Sequence, residues 1–204
     1  MKDLRIEDFI GVLNSAEPTP GGGGASALAG ALSAALLGMV AHLTTGKKKY
    51  AEYQEEIDKI LEDTKSLACR MEDLIEEDAK AFAPLAAAYG IPKEDPDRAA
   101  KLEVALINAA SAPYKIVEAA GDVRDIVVRL ADIGSRLAIS DAGVAAALCS
   151  ATAKGAAMNI YINTKLMSDR AVAEKMNEDT KALVGSICSD CDAVYDRIKG
   201  ELGA

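Results

Sequence analysis

Between Pro20 and Lys47 the chain carries no Asp, Glu, Lys or Arg, and within that stretch Ser26, Gly30, Ala34 and Gly38 recur every fourth residue. Residues four apart stack on one face of a helix, and small ones let another backbone come close. The stretch is long enough to span a bilayer. No other segment shares its character, however, and a ridge this small is poorly suited to lipid packing alone. It reads as a buried central helix of about Gly24 to Thr45, around which the rest must be arranged.

Helical periodicity is nearly continuous elsewhere, with no period-two alternation and no hairpin signal. A first helix is expected at about Arg5 to Ser15, with Ile6, Phe9, Ile10 and Leu13 on one face. A long third helix, about Tyr50 to Tyr89, has the seam Ile57, Ile60, Thr64, Leu67, Met71, Leu74, Asp78, Ala81 and Leu85, with Pro84 inside it. A fourth starts near Asp95 and ends near Ala120, with Pro113 internal. A fifth follows Asp122. Ser140 is the expected N-cap of a sixth, about Asp141 to Ile162, and Ser168 that of a last one reaching Lys199. The expectation is an all-α single domain over residues 1–204, a bundle of about seven helices around a long Ala/Gly-rich one.

Bulk properties narrow the function. The 204 residues are half hydrophobic but only 4% aromatic, with no Trp, so Ala, Leu, Ile and Val must build a close-packed core. A net charge of −9 argues against nucleic acid and anionic membranes as partners. The N-terminus lacks an apolar leader, and Cys69, Cys149, Cys188 and Cys191 form no paired framework, so a cytoplasmic protein is expected. The Cys188-x-x-Cys191 spacing falls in a helical pattern without a second pair. One histidine, His42, cannot supply a di-metal bundle, and it follows an apolar run as a helix-end or packing residue would.

Three places break the pattern. Pro18-Thr19-Pro20 holds the chain extended before Gly21, Gly22, Gly23 and Gly24, where the backbone can turn sharply at the start of the central helix. Such a helix start offers free N–H groups and a positive dipole end to a carboxylate or other anion. It is equally a tight turn feeding a buried helix. Asp78 falls on the apolar seam of the third helix, where a carboxylate must be paired, hydrogen-bonded or kept for chemistry, unless the seam frays to solvent near Pro84. On the sixth helix Asp141, Asn159 and Asn163 share one stripe with Leu148 and Thr152, beside the small residues Gly155 and Ala156; the asparagines serve a ligand or bundle-internal hydrogen bonds. Lys47 and Lys49, in Thr45-Gly46-Lys47-Lys48-Lys49, put positive charge where the central helix closes.

Five blocks in order resemble the cyclodeaminase/cyclohydrolase family of folate enzymes across nearly the whole chain. They are Pro18-Thr19-Pro20-Gly21-Gly22-Gly23; Leu43-Thr44-x-Gly46-Lys47-x-Lys49; Asp78-Ala79-x-Ala81-Phe82; Ser140-Asp141-x-x-Val144-Ala145-Ala146; and Gly155-Ala156-x-x-Asn159-x-x-Ile162-Asn163. Gly24 departs from the serine often found there. The resemblance implies an all-helical homodimer with Asp78 as catalytic acid/base and no catalytic role for His42. It also implies a tetrahydrofolate derivative as substrate, with no metal and no cofactor beyond that substrate. Chemistry and resemblance together suggest Asp141, Asn159 and Asn163 for the pterin edge. Lys47, Lys49 or the Gly21–Gly24 helix start would then take the glutamate tail. The expected reaction is hydrolysis of 5,10-methenyltetrahydrofolate to 10-formyltetrahydrofolate, since no formiminotransferase domain accompanies the chain. The alternatives are cyclodeamination of 5-formiminotetrahydrofolate and a non-catalytic ligand-binding or scaffold subunit.

Overall fold

The computed structural model describes residues 1–203. Six α-helices follow one another: α1 (Ile6–Leu13), α2 (Gly22–His42), α3 (Gln54–Tyr89), α4 (Arg98–Ile133), α5 (Ile139–Thr164) and α6 (Arg170–Glu201), with short 3₁₀ turns at Lys48–Tyr53 and Arg136–Ala138. No strand occurs among the described residues. The structure has six α-helices where the sequence suggested about seven, because the expected fourth and fifth are one. Gly121-Asp122 does not interrupt α4: Ala119, Ala120 and Val123 are buried on either side, and a glycine inside a helix costs only about 1 kcal/mol. That is less than burial of the neighbouring apolar groups returns.

The uncharged helix is central, as expected. α2 packs against α3, α4 and α5, and its small ridge makes that possible. A Cβ on Gly30 would lie 2.8 Å from the Met71 thioether of α3 and 3.1 Å from the Thr152 methyl of α5. Gly38 lies against Thr64, and the Ser33 hydroxyl donates to the Ala145 carbonyl at 2.7 Å. Around this axis Leu37, Val40, Ile57, Met71, Ile116, Val117, Val123, Leu130 and Ile160 are buried together.

Some local expectations fail. Ser140 lies one residue inside α5 and caps nothing, since the helix already begins at Ile139. Asp169, not Ser168, caps α6, its carboxylate accepting from the Val172 N–H at 3.1 Å. Of the apolar face of α1 only Phe9 is buried, while Ile6, Ile10 and Leu13 stay exposed. The N-terminus is tied to α3 instead, through ion pairs of the Met1 amino group with Glu76 and of Lys2 with Asp73.

Candidate active site

α2 begins without a capping side chain of its own, because Gly21 stands at the N-cap and Gly22, Gly23 and Gly24 form the first turn. Its free N–H groups find a partner on another helix. Asp78 projects from the seam of α3, and its carboxylate accepts from the Gly24 N–H at the positive end of α2. Gly23 lies so close that any Cβ there would overlap the carboxylate. Burial pushes the Asp78 carboxyl above its ordinary value, and the Gly24 hydrogen bond pulls the other way without cancelling it.

α5 supplies the facing wall. The Asn159 amide donates to the Gly155 carbonyl at 3.0 Å, and the Asn163 amide donates to the Asn159 carbonyl at 2.8 Å. Tethered this way, both carboxamides keep their oxygens as free acceptors. A Cβ on Gly22 would sit 3.0 Å from the Asn159 carboxamide, so the turn of α2 and this side chain are closely fitted. The cavity between them holds about 120 Å³ and is completed by Thr19, Phe82, Ala109, Pro113 and Ile162. Pro113 has no N–H to return to the Ala109 carbonyl, which adds another acceptor to this wall. Among the described residues Asp78 is the only charged one lining the cavity. Such a site suits a ligand that brings positive charge or donor groups.

The structure gathers part of the expected constellation. Gly21, Gly22, Asp78, Asn159 and Asn163 line the cavity, and Gly23 and Gly24 lie behind it against Asp78. Lys47 and Lys49 are at the far end of the molecule: α2 has 21 residues and is therefore about 30 Å long. There the Lys47 ammonium approaches the Ser135 hydroxyl at 3.4 Å. Asp141 belongs to that end too, in the first turn of α5 and about 27 Å from Asn159. The expected anion perch on the glycine turn is taken by Asp78 itself. Phe82, Thr19 and Pro113 were not singled out as site residues, although Phe82 is one helical turn beyond Asp78.

Larger cavities lie elsewhere, two of them several times its size. One of about 770 Å³ runs between α2 and α3 beside His42, the exposed last residue of α2. The other, about 560 Å³, lies between α4 and α6 around Tyr114, Lys175 and Met176. Neither collects the polar residues of the five blocks. Cys149, Cys188 and Cys191 are buried as free thiols, and no group of three or more His, Cys, Asp or Glu that could hold a metal occurs among the described residues.

Comparison with known proteins finds relatives over nearly the whole chain. Residues 5–182 match the family described as formiminotransferase-cyclodeaminase. The methenyltetrahydrofolate cyclohydrolase of Methylorubrum extorquens is 38% identical over 97% of both chains. The formimidoyltransferase-cyclodeaminase of Rattus norvegicus is 28% identical over 99% of this chain but 37% of its own length. A crystal structure of formiminotetrahydrofolate cyclodeaminase from Thermotoga maritima superposes with a TM-score of 0.85 at 28% identity, covering 97% of this chain and 98% of that one.

Proposed function

The chain belongs to the formiminotransferase-cyclodeaminase family, and from that membership we propose that it hydrolyses 5,10-methenyltetrahydrofolate to 10-formyltetrahydrofolate. The observation that carries this reading is the Asp78 cavity: one carboxylate, raised by burial, among neutral acceptors. The methenyl compound is a cation centred on the carbon between N5 and N10, so the cavity matches the charge of the reacting group. Similarity to the Methylorubrum cyclohydrolase over nearly the full length of both chains supports the choice of reaction.

The Asp78 carboxylate attracts the cation and takes a proton from water as the water oxygen bonds to the methenyl carbon. The neutral tetrahedral intermediate holds that carbon between N5, N10 and the new hydroxyl. Asp78, now protonated, returns its proton to N5 as the C–N5 bond breaks. Loss of the hydroxyl proton gives the formyl group on N10, so the reaction consumes one water and releases one proton. Asn159 and Asn163 offer acceptors to the donor edge of the pterin, and Phe82 and Ile162 flank it with apolar surface.

A second reading is cyclodeamination, favoured by the likeness to the Thermotoga cyclodeaminase. There N10 attacks the formimino carbon and its proton passes to the departing nitrogen, a second proton from the Asp78 carboxyl completes ammonia, and loss of ammonia leaves the methenyl cation. Both reactions pass through a tetrahedral carbon at the same place. The family likeness and the unpaired apolar faces of α1 and α2 also support a homodimer. Decay of the methenyl absorbance with and without protein, run beside ammonia release from 5-formiminotetrahydrofolate, tests the assignment. Accelerated decay without ammonia release is expected. Ammonia release as the dominant activity would favour the second reading, and neither activity would sink both.

A further inference from the structure

Two of the helices that border the Asp78 cavity carry an internal proline, and the two prolines stand in opposite surroundings. Pro84 in α3 is exposed, and so is Lys80, whose carbonyl it leaves without an N–H; water can satisfy that oxygen. Pro113 in α4 is buried, and Ala109, whose carbonyl it leaves free, is only 5% exposed. In a continuous α-helix each carbonyl accepts from the N–H four residues ahead, so the Tyr114 N–H serves Ala110 and none is left for Ala109. The Ser111 hydroxyl, two residues on, donates to the Asn108 carbonyl at 2.7 Å instead.

A proline inside a helix is destabilising in itself, and a buried carbonyl without a donor adds to that cost. Native structures keep few such groups, so each one calls for a partner. Ala109 and Pro113 both line the Asp78 cavity, and the free carbonyl between them opens onto it. The donor it lacks is one that a guest of the cavity can bring. At about 120 Å³ the space has room for a water, which needs two or more polar partners to be held. Asp78 on α3 is one such partner. Asn159 and Asn163, on α5, are the acceptors already given to the pterin edge.

We infer that the Ala109 carbonyl, freed by Pro113, is the second acceptor that positions the attacking water. This rests on the hydrolytic reading of the site. The water donates one O–H to Asp78 and the other to Ala109, which leaves a lone pair for the electrophile. As that lone pair bonds to the methenyl carbon, the carbon–nitrogen π pair passes to N5 and the first proton passes to Asp78. The second O–H is not transferred at this step. It stays directed at the Ala109 oxygen, which counters the positive charge growing on the water, and it is the proton released once the C–N5 bond has broken. Pro113 is a positioning residue that acts through this carbonyl. A main-chain oxygen suits the task because no side-chain torsion has to be fixed to aim it.

Any residue other than proline returns an N–H to the helix. Pro113→Ala and Pro113→Val both do so, both favour helix over proline, and valine nearly keeps the volume of the ring. An effect shared by the two therefore comes from the hydrogen bond and not from lost packing. Hydrogen exchange of the new amide at position 113 reports whether it has taken the Ala109 carbonyl, and slow exchange is expected. For 5,10-methenyltetrahydrofolate kcat should then fall about tenfold in both variants with KM within about twofold of wild type, because the lost bond concerns the water and not the bound folate. Pro84→Ala restores the equivalent bond at a solvent-facing carbonyl and should leave both constants unchanged.

Unchanged kcat in the Pro113 variants overturns the proposal. So does a rise in KM alone, which would give the carbonyl to an N–H of the ligand. Fast exchange at position 113 in folded protein would show that the Ala109 carbonyl is not free to be taken, with the same consequence. A Pro84→Ala protein that loses as much turnover as Pro113→Ala would assign the effect to helix bending and sink the role of the carbonyl. Wild-type protein that does not hydrolyse the methenyl compound refutes the functional reading and this role with it, whereas wild-type hydrolysis with undisturbed Pro113 variants refutes this inference alone.

Discussion

Gly23 and Asp78, on different helices, are in contact so close that the Cα of one leaves no room for a side chain beside the carboxylate of the other. The requirement at Gly23 is one of space. Gly23→Ala must displace either the Asp78 carboxylate or the first turn of α2. Overpacking of this kind costs about 1–3 kcal/mol, so the melting temperature should fall, and turnover should fall with it as the acid/base group moves. An alanine variant with wild-type melting and turnover would contradict this contact.

The raised Asp78 carboxyl sets the pH dependence of hydrolysis. As a general base Asp78 must be ionised, so kcat/KM should fall on the acid side with a midpoint above the ordinary carboxylate value of 3.8. The profile is measured after subtraction of uncatalysed methenyl hydrolysis. A midpoint at or below the ordinary value would mean that burial does not control this group in the free enzyme.

The same shift makes a separate statement about stability. A carboxyl whose value rises on folding favours the protonated form in the native state. Its contribution is fully present below the unfolded value and is lost as pH climbs through the folded one. Above that point Asp78 is charged and half-buried at some expense to the fold, partly offset by the Gly24 hydrogen bond. Asp78→Asn keeps an acceptor for Gly24 without the charge. It should therefore raise the melting temperature at pH 7 to 8, and the difference should vanish near pH 4. A variant less stable than wild type at neutral pH would show that capping of α2 by the anion outweighs its desolvation.

Removing the Asn159 carboxamide should act mainly on binding. Its oxygen is a free acceptor beside the glycine turn, and a donor edge held there is held equally in ground and transition states. Asn159→Ala should therefore raise KM for the methenyl substrate by about tenfold, with a smaller effect on kcat. A fall confined to kcat would instead place Asn159 at the reacting carbon.

What could be read from the sequence followed from local pattern. The every-fourth-residue ridge located α2 and its close contacts, and the three-and-four seam located α3, because burial leaves a periodic trace. Asp78 stood out as a carboxylate on an apolar seam. Its partner could not be read, since the meeting of Asp78 with the first turn of α2 is a contact between elements far apart in the chain. The same contact explains why the glycine turn is no open anion perch. Asp141 shares a helical stripe with Asn159 and Lys47 closes the helix that the glycines begin, but the lengths of α5 and α2 set them about 27 and 30 Å from the Asp78 end. The sequence alone suggests a break between Ala120 and Asp122, because the burial that carries α4 through it comes from α5 and α6, not from the segment itself. The exposed faces of α1 and α2 carry the same apolar pattern as buried ones, so period alone could not tell an internal contact from an external one.

The catalytic role of Asp78 is tested most directly by the turnover of 5,10-methenyltetrahydrofolate by wild type and Asp78→Asn, measured as loss of methenyl absorbance at neutral pH on protein of verified fold. Asparagine keeps the shape and the Gly24 acceptor but cannot carry a proton. Turnover should fall by about 10²–10⁴-fold while the melting transition stays cooperative and substrate still binds. An Asp78→Asn protein that hydrolyses the substrate at close to the wild-type rate would remove Asp78 from the chemistry and leave it as the cap of α2 alone.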